Sequence, residues 1–154
     1  MGEKGKEFRK PEGRPAFPKK AVITAGMPYG NKELHFGHVG GMFVHADTFA
    51  RFMRDRIGAE NVIFVSGTDC YGSPILEGFR KQQESGVLPE DMTIQDYVEK
   101  NHKSQKRTLD AYEIKPDYYG ASALYRGSEF HTESSKELFE ALYEQGQLKM
   151  MSTP

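Results

Sequence analysis

A run of four consecutive apolar residues, Val62-Ile63-Phe64-Val65, limits the folds that this chain can adopt. Side chains alternate between the two faces of a strand, so a strand of this composition is typical of a parallel sheet that is covered on both faces. A similar run, Ala21-Val22-Ile23-Thr24-Ala25, precedes it. Between them, from about residue 36 to residue 57, the apolar residues have helical spacing, which supplies the crossover that parallel strands need. We therefore predict an α/β fold with a parallel sheet.

The later residues continue this alternation of helix and strand. Helices are predicted over residues 73–85 and from about Phe130 to Gly146, and a weaker strand over residues 117–121. The segment 147–151 is predicted to be one more strand. The helix over residues 36–57 is predicted to bury a stripe of apolar side chains, namely Met42, Ala46, Phe49 and Met53.

A further helix is predicted to begin after Thr93, whose hydroxyl suits an N-terminal cap. Its inward stripe consists of Ile94, Tyr97, Val98, Asn101, Gln105, Thr108, Leu109 and Tyr112. Because this stripe is partly polar, the helix is predicted to lie at the periphery of the fold. In the helix over residues 36–57, Asp47 and Arg51 are four residues apart, which predicts an ion pair on the helix surface.

Composition excludes several classes of protein. The chain has 154 residues, a formal net charge of −1 and one cysteine, so neither a disulfide framework nor a multi-cysteine zinc site fits its sequence. No apolar run approaches the roughly 20 residues of a membrane span. We therefore predict a cytoplasmic protein that does not associate with membranes.

The first residues differ from the rest in charge and patterning. Residues 1–20 carry seven Lys and Arg against three Glu, with little apolar periodicity. We predict a disordered basic leader over residues 1–19 and a folded domain over residues 20–154. The leader is either an arm that contacts nucleic-acid phosphates or a tail without such a role.

The chemistry is predicted at the carboxyl ends of the first two strands, where ligands bind in sheets of this kind. The loop after the first strand ends in His35-Phe36-Gly37-His38, which opens a helix, and Gly67-Thr68-Asp69 follows the second strand. A helix N-terminus favours phosphate, and two histidines three residues apart can donate hydrogen bonds to its oxygens. Partial metal ligation by the histidines is the weaker alternative, because a metal site would need a third ligand.

Several motifs at matching spacing closely resemble the start of the methionyl-tRNA synthetases, a family of class I aminoacyl-tRNA synthetases. The residues that carry the resemblance are Ile23-Thr24-Ala25-Gly26-Met27-Pro28-Tyr29-Gly30-Asn31, His35-Phe36-Gly37-His38, Phe64-Val65-Ser66-Gly67-Thr68-Asp69 and Gly72-Ser73-Pro74-Ile75. The histidine tetrad is similar to the His-Ile-Gly-His signature of class I. The resemblance implies the N-terminal half of a parallel, Rossmann-like nucleotide-binding sheet of the HUP type, with flanking helices.

The resemblance also implies roles for single residues. His35 and His38 would be catalytic, binding ATP phosphates and stabilising the transition state of adenylate formation. Gly37 would let the adenine ring approach the backbone, and Asn31 would belong to the ATP loop. The methionine site would contain three residues, namely Met27, Tyr29 and Asp69, the last binding the α-ammonium group. Taken alone, Asp69 could equally cap the following turn, and Met27 could simply contribute to packing.

The implied activity is that of a methionine–tRNA ligase, which consumes ATP with Mg²⁺ and charges tRNA(Met) with methionine, releasing AMP and pyrophosphate. The zinc-bearing connective domain, the half with the Lys-Met-Ser-Lys-Ser loop and the anticodon domain have no counterpart in residues 20–154. No metal site is therefore expected in this chain. We expect the isolated chain to be inactive or very weak, and to self-associate through the uncovered edge and face of a half sheet.

One departure from the family pattern leaves alternatives open. Members commonly read Gly-Thr-Asp-Glu-His-Gly, whereas this chain has Cys70 and Tyr71 in place of the Glu-His pair. A paralogue with altered amino-acid specificity and a non-catalytic synthetase-like fragment therefore remain alternatives. A small nucleotidylyltransferase with a His-x-Gly-His motif is a weaker one. Cys70 is most simply interpreted as a small buried residue.

Overall fold

The computed structural model describes residues 16–123 and 128–152. Residues 1–15, which form most of the predicted basic leader, lie outside this part of the chain. Within the described residues, three strands form one parallel sheet in the order β1-β2-β3: β1 (Ala21–Thr24), β2 (Val62–Thr68) and β3 (Tyr118–Ala121). The predicted α/β class and parallel sheet are confirmed.

The helical segments fall close to the predicted positions. They are α1 (Phe36–His38), a π-helical turn (Val39–Phe43), α2 (Val44–Ile57), a 3-10 turn (Ala59–Asn61), α3 (Ser73–Glu84), α4 (Ile94–Ala111) and α5 (Glu129–Glu144). Thr93 caps α4 as predicted: its hydroxyl accepts a hydrogen bond from the Asp96 N–H, and the Asp96 carboxylate accepts one from the Thr93 N–H. Gly58, with φ of 92°, ends α2 in a conformation that glycine adopts without strain.

The π-helical turn changes which face of α2 is buried. The wider turn closes with the Val44 N–H donating to the Val39 carbonyl, five residues earlier. The buried residues are Phe43, Asp47, Ala50 and Met53. The predicted stripe is therefore wrong at Phe49, which is 52% exposed. A strict 3.6-residue period does not anticipate a π-helical turn, which shifts the buried face by about one residue.

Asp47 is buried rather than on the surface. Its Oδ2 accepts a hydrogen bond from Arg51 Nε at 2.6 Å, so the predicted ion pair exists, and its Oδ1 accepts one from the Lys115 N–H at 3.1 Å. Arg51 in turn donates to the Glu113 carbonyl at 2.7 Å. The prediction that this pair lies on the helix surface is therefore wrong for Asp47. Its buried carboxylate instead holds the connection between α4 and β3 in place.

The core lies between one face of the sheet and helices α2 and α4. Ile23 and Phe64 from the sheet contact Phe43, Leu109 and Ile114 there. A smaller cluster joins α3 to α4 and consists of Cys70, Ile75, Leu88, Tyr97 and Val98. Because Tyr97, Gln105 and Leu109 are among the most deeply buried side chains of the described residues, the prediction that α4 is peripheral is wrong.

The opposite face of the sheet is open. Val22 is 70% exposed, and Ile63 and Tyr118 each expose more than half of their surface. Two-sided cover of the strands, predicted from their apolar composition, is therefore found on one face only in the part of the chain that the structure describes. The open face agrees with the apolar face expected of a half sheet.

The last described residues add little cover to the sheet. Helix α5 buries none of its residues, and its predicted apolar residues Phe130 and Leu138 are exposed. The strand predicted over residues 147–151 is wrong, because this exposed segment is not in a strand and pairs with none of the described strands. Among the described residues, no helix combines the length and apolar character that a membrane crossing requires.

Candidate active site

The loop after β1 and the end of β2 converge as predicted. Tyr29 and Asp69 form a parallel β-bridge beyond the ends of the two strands. Its hydrogen bonds run from the Gly30 N–H to the Asp69 carbonyl at 2.8 Å and from the Asp69 N–H to the Pro28 carbonyl at 2.9 Å. Two residues of the predicted methionine site are thus adjacent, because the pairing of β1 with β2 continues into the loops.

The two histidines cap the helix that they open. His35 Nδ1 accepts a hydrogen bond from the Gly37 N–H at 3.1 Å, and His38 Nδ1 accepts one from the His35 N–H at 3.3 Å. Their rings lie 3.8 Å apart between centroids. A nitrogen that accepts carries no proton, so each neutral ring is protonated on Nε2. Both histidines therefore retain an Nε2–H donor for a ligand.

The surroundings of His38 favour its neutral form. Partial burial lowers the pKa of its imidazole below the usual 6.5, and His35 and Lys32 lower it further. At neutral pH the ring therefore offers a neutral hydrogen-bond donor rather than a fixed positive charge.

Gly37 makes room for the ring of His35. A Cβ built at this position would lie 3.0 Å from Cε1 and 3.1 Å from Nδ1 of His35. A side chain here would therefore displace the ring that caps the helix. This requirement is independent of the adenine contact predicted for Gly37.

Asp69 has one carboxylate oxygen committed to the local turn. Oδ1 accepts a hydrogen bond from the Tyr71 N–H at 3.1 Å, so the turn-capping alternative is correct for that oxygen. Among the described residues no hydrogen-bond donor reaches Oδ2, and the side chain is half-buried. The carboxylate thus keeps one oxygen for a second partner.

Met27 faces a different space from Asp69. It lines a cavity of about 340 Å³ on the open side of the sheet. The other lining residues are Thr24, Ala25, Val65, Ser66, Tyr118, Gly120, Ala121, Ser122, Phe130 and His131. Tyr29 and Asp69 are not among them, so the three predicted methionine-site residues do not share one enclosed cavity.

Asn31 is directed toward α3. Its Nδ2 donates to the Pro74 carbonyl at 3.3 Å, and its Oδ1 is buried with no hydrogen-bond partner among the described residues. No described contact joins Asn31 to His35 or His38. The residue predicted for the ATP loop therefore fixes the start of α3, and its role toward ATP stays a prediction.

A buried polar network next to the site was not anticipated. Gln105 Oε1 accepts hydrogen bonds from Thr68 Oγ1 at 2.8 Å and from Tyr119 Oη at 2.9 Å. His102 Nδ1 lies 2.8 Å from the same Thr68 oxygen, and the His102 ring stacks on Tyr119. The available signal was the pair of amide side chains, Asn101 and Gln105, within the apolar stripe of α4. Polar residues in such a stripe predict exposure, whereas in the structure both amides donate hydrogen bonds to backbone carbonyls of residues 29–32.

Burial determines the charge state of this network. It lowers the pKa of His102 and raises that of the Tyr119 hydroxyl to about 12. Thr68 has one hydroxyl proton, which it donates to Gln105, so His102 donates to Thr68 from Nδ1. Every group in the network is then neutral and has a partner.

Cys70 and Tyr71 occupy different environments. Cys70 is buried, and its N–H donates to Ser122 Oγ at 2.8 Å, in agreement with the interpretation as a small buried residue. Tyr71 is exposed. Residues 16–123 and 128–152 contain no group of three or more His, Cys, Asp or Glu side chains placed to hold a metal ion.

Comparison with known proteins gives one consistent result. The family model for class I tRNA synthetases (M) matches residues 21–153. The chain is 37% identical over 129 residues to methionine–tRNA ligase of Cytophaga hutchinsonii, 33% over 125 residues to that of Archaeoglobus fulgidus, and 31% over 132 residues to that of Salinibacter ruber.

These alignments cover 81–86% of this chain but only 16–17% of the relatives. The chain therefore spans about a sixth of the length of the curated proteins that it matches. The family match extends over the sheet, the histidine helix and the buried polar network. The chain belongs to the family of class I tRNA synthetases (M).

Proposed function

We propose that this chain is the ATP- and methionine-binding part of a methionine–tRNA ligase, and that residues 20–154 form the N-terminal half of its catalytic domain. In the full-length enzyme the methionine carboxylate would attack the α-phosphorus of ATP and expel pyrophosphate. The resulting methionyl-adenylate would then transfer its methionyl group to tRNA(Met) and release AMP. The observation that carries the proposal is the convergence of the histidine-bearing loop with Asp69, within the region of the family match.

In this proposal, His35 and His38 are the catalytic residues and bind the phosphates of ATP. Their Nδ1 atoms accept backbone N–H groups, which leaves Nε2–H as the donor of each ring. Donors that are fixed before the reaction stabilise charge developing on the phosphate oxygens without reorganising. The proposed part of Gly37 is to keep the adjacent backbone open to the adenine ring, and Asn31 contributes to the ATP loop from the start of α3.

Methionine would be held by Asp69, with Tyr29 and Met27 beside it. A carboxylate at about 4 Å from an ammonium group gains roughly 4 kcal/mol at an effective dielectric constant near 20. The support for Asp69 is its second carboxylate oxygen, which accepts no hydrogen bond from the described residues. Because Met27 and Tyr29 are 49% and 45% exposed, both side chains remain available to contact a ligand.

The remaining components of the reaction would come with the substrates and with the rest of the enzyme. Mg²⁺ would enter bound to ATP, and zinc would belong to the connective domain of the full-length protein. Protein synthesis with cytoplasmic tRNA would place the enzyme in the cytoplasm. We further propose that the chain, when isolated, self-associates through the uncovered edge and the open face of the sheet. That face exposes Val22, Ile63 and Tyr118.

The second candidate function is a paralogue with altered amino-acid specificity or a fragment that binds without turnover. The observation that favours it is Cys70-Tyr71, which follows Asp69 directly; Tyr71 is exposed, and its backbone N–H donates to the Asp69 carboxylate. The family match over residues 21–153 favours both of these over a small nucleotidylyltransferase.

Two measurements on this chain test the proposal. Calorimetric titration with methionine and with ATP should show weak binding, and Asp69→Asn should weaken methionine binding while leaving ATP binding unchanged. Amino-acid-dependent ATP–pyrophosphate exchange should be very weak or absent. Binding of another amino acid in preference to methionine would support the paralogue, and binding of neither ligand by a folded chain would contradict the proposal.

A further inference from the structure

We infer that Tyr97, Asn101 and Gln105 are positioning residues of the proposed methionine–ATP site. They line one face of α4 and hold residues 29–32, here called the β1 loop, in the conformation in which Tyr29 lies beside Asp69. The inference rests on the proposed function, because it concerns how that site is kept in shape.

Every backbone carbonyl oxygen of the β1 loop accepts a hydrogen bond from one of these three side chains. The hydrogen bonds run from Tyr97 Oη to the Asn31 carbonyl, from Asn101 Nδ2 to the Gly30 carbonyl at 2.9 Å, and from Gln105 Nε2 to the carbonyls of Tyr29 and Lys32, each at 2.9 Å. A loop whose successive carbonyls all have fixed donors has little freedom to rotate its peptide planes.

The donors stand at four-residue intervals, so they lie on one face of α4, and all three residues are buried. If this helix served only to cover the sheet, apolar side chains would fill the same positions at lower cost. Buried amides that match backbone carbonyls one by one are instead suited to specify a single loop geometry. Ser104 extends the contact by donating to the Glu33 carboxylate at 3.0 Å.

Gln105 also joins the β1 loop to the strand ends. Its Oε1 accepts hydrogen bonds from Thr68 Oγ1 and Tyr119 Oη, which leaves Nε2 to face the loop carbonyls. Thr68 immediately precedes Asp69, so one amide group ties the position of the Tyr29 backbone to the strand that carries Asp69. The same group would therefore set the spacing between the two proposed methionine contacts.

Gly30 gives independent support for close contact between the loop and α4. A Cβ at this position would lie 2.8 Å from Val98 Cγ1 and 3.1 Å from Thr68 Cγ2. The loop backbone is thus pressed between α4 and β2, and only a residue without a side chain fits. The hydrogen bonds and the steric fit both hold the β1 loop against α4.

The test compares Gln105→Glu with Leu109→Ala. The glutamate keeps the oxygen that Thr68 and Tyr119 use but replaces the amide group, which serves both loop carbonyls, by a carboxyl oxygen that can serve at most one of them. Leu109→Ala instead removes a core side chain one helical turn later, and this side chain makes no contact with the loop carbonyls. Amide hydrogen exchange is measured at Gly30 in the loop and at Phe64 in β2. In Gln105→Glu the exchange at Gly30 should accelerate about tenfold or more relative to Phe64, because unpaired carbonyls let the loop open locally.

Leu109→Ala should change this ratio little, since it lowers stability without releasing the loop. Equal ratios in the two variants would overturn the inference. If Gln105→Glu does not fold, Tyr97→Phe removes only the hydroxyl that bonds the Asn31 carbonyl, and the same ratio is measured there.

Titration of the same proteins with methionine distinguishes failure of the positioning role from failure of the proposed function. Gln105→Glu should bind methionine about tenfold more weakly than the unsubstituted chain, because a loop that is often open must be ordered on binding. Leu109→Ala should bind with unchanged affinity, and equal affinity of Gln105→Glu would overturn the positioning role. Absence of methionine binding to the unsubstituted chain would count against the proposed function, and the exchange ratio at Gly30 would still decide whether α4 fixes the loop.

Discussion

Two connections of the sheet are each anchored by one helix, but with opposite chemistry. The β1 loop is held by neutral donors from α4, namely Tyr97, Asn101 and Gln105. Residues 113–117, which lead from α4 into β3 and are here called the β3 approach, are held by ionised groups of α2. Those contacts run from Asp47 to the Lys115 N–H, from Arg51 to the Glu113 carbonyl, and from Arg54 to Asp117.

The difference follows the location of the proposed ligands. The β1 loop lies at the carboxyl end of the sheet, beside the histidines and Asp69, where phosphate and ammonium charges would bind. Neutral anchors fix that loop without adding charges that would compete with the ligands. The β3 approach enters the sheet at the opposite end, where ion pairs can stabilise the fold without altering the electrostatics of the site.

Removal of Asp47 should give the largest loss of stability. Asp47→Ala leaves the Lys115 N–H and Arg51 without their buried acceptor, so the free energy of unfolding should fall by about 3 kcal/mol. Asp47→Asn keeps an oxygen for Lys115 and should lose about half as much. Urea denaturation checks both, and an Asp47→Ala variant as stable as the parent would show that the β3 approach is held by other contacts.

A substitution among the neutral α4 residues that hold the β1 loop should lower the free energy of unfolding by less, and the loss should not depend on salt. Asn101→Leu keeps the number and branching of the side-chain heavy atoms but leaves the Gly30 carbonyl without its donor, which should reduce the free energy of unfolding by about 1–2 kcal/mol. Because no ion pair is involved, the loss should be the same in low and high salt. A loss that shrinks with salt would contradict the neutral character of this anchor.

The Arg54–Asp117 pair supplies the salt-dependent counterpart. Its atoms lie 2.7 Å apart, and both side chains are partly exposed. Arg54→Met should lower the free energy of unfolding by about 0.5–1 kcal/mol at low ionic strength, and by less as salt screens the pair. Urea denaturation at two salt concentrations measures the change. An equal loss at both would mean that packing of the arginine stem, rather than charge, stabilises the β3 approach.

The two connections also show what could be predicted from the sequence. The strands and helices follow from local patterns, and the convergence of Tyr29 with Asp69 follows from parallel pairing. The anchors depend on contacts between residues far apart in the chain, such as Gln105 with Tyr29 and Asp47 with Lys115. A polar residue in a helical stripe is compatible with solvent or with a buried carbonyl, and only the tertiary structure distinguishes the two.

For the candidate site, too, the local features were predictable from the sequence and the tertiary contacts were not. The position of His35 and His38 at a helix start after β1 follows from the motif, but the direction of each Nδ1 depends on the backbone geometry of the turn. The buried face of α2 was misjudged because the π-helical turn Val39–Phe43 leaves no mark in a 3.6-residue period. Local signals therefore indicate where the candidate site lies, and long-range contacts determine the shape of that region.

The smallest expected effect is the pH dependence of stability, which comes from two histidines on the side of the β1 loop. His38 and His102, both near the β1 loop, have a pKa below the usual 6.5 in the folded chain. For His102, burial is the main cause, Lys106 and Lys103 add to it, and Glu99 opposes it. Well above pH 6.5 both histidines are neutral in the folded and unfolded states and do not affect stability.

As the pH falls below about 6.5, the unfolded chain binds protons first, so stability decreases until the pH passes the folded pKa values. Denaturation between about pH 7.5 and pH 5 should therefore show a decline that is smaller in His102→Gln. His131→Gln, at an exposed histidine of α5, is the matched control and should retain the parental decline. If His102→Gln and His131→Gln decline alike, the His102–Thr68 contact does not couple protonation to folding, and the decline must come from groups other than His102, such as His38.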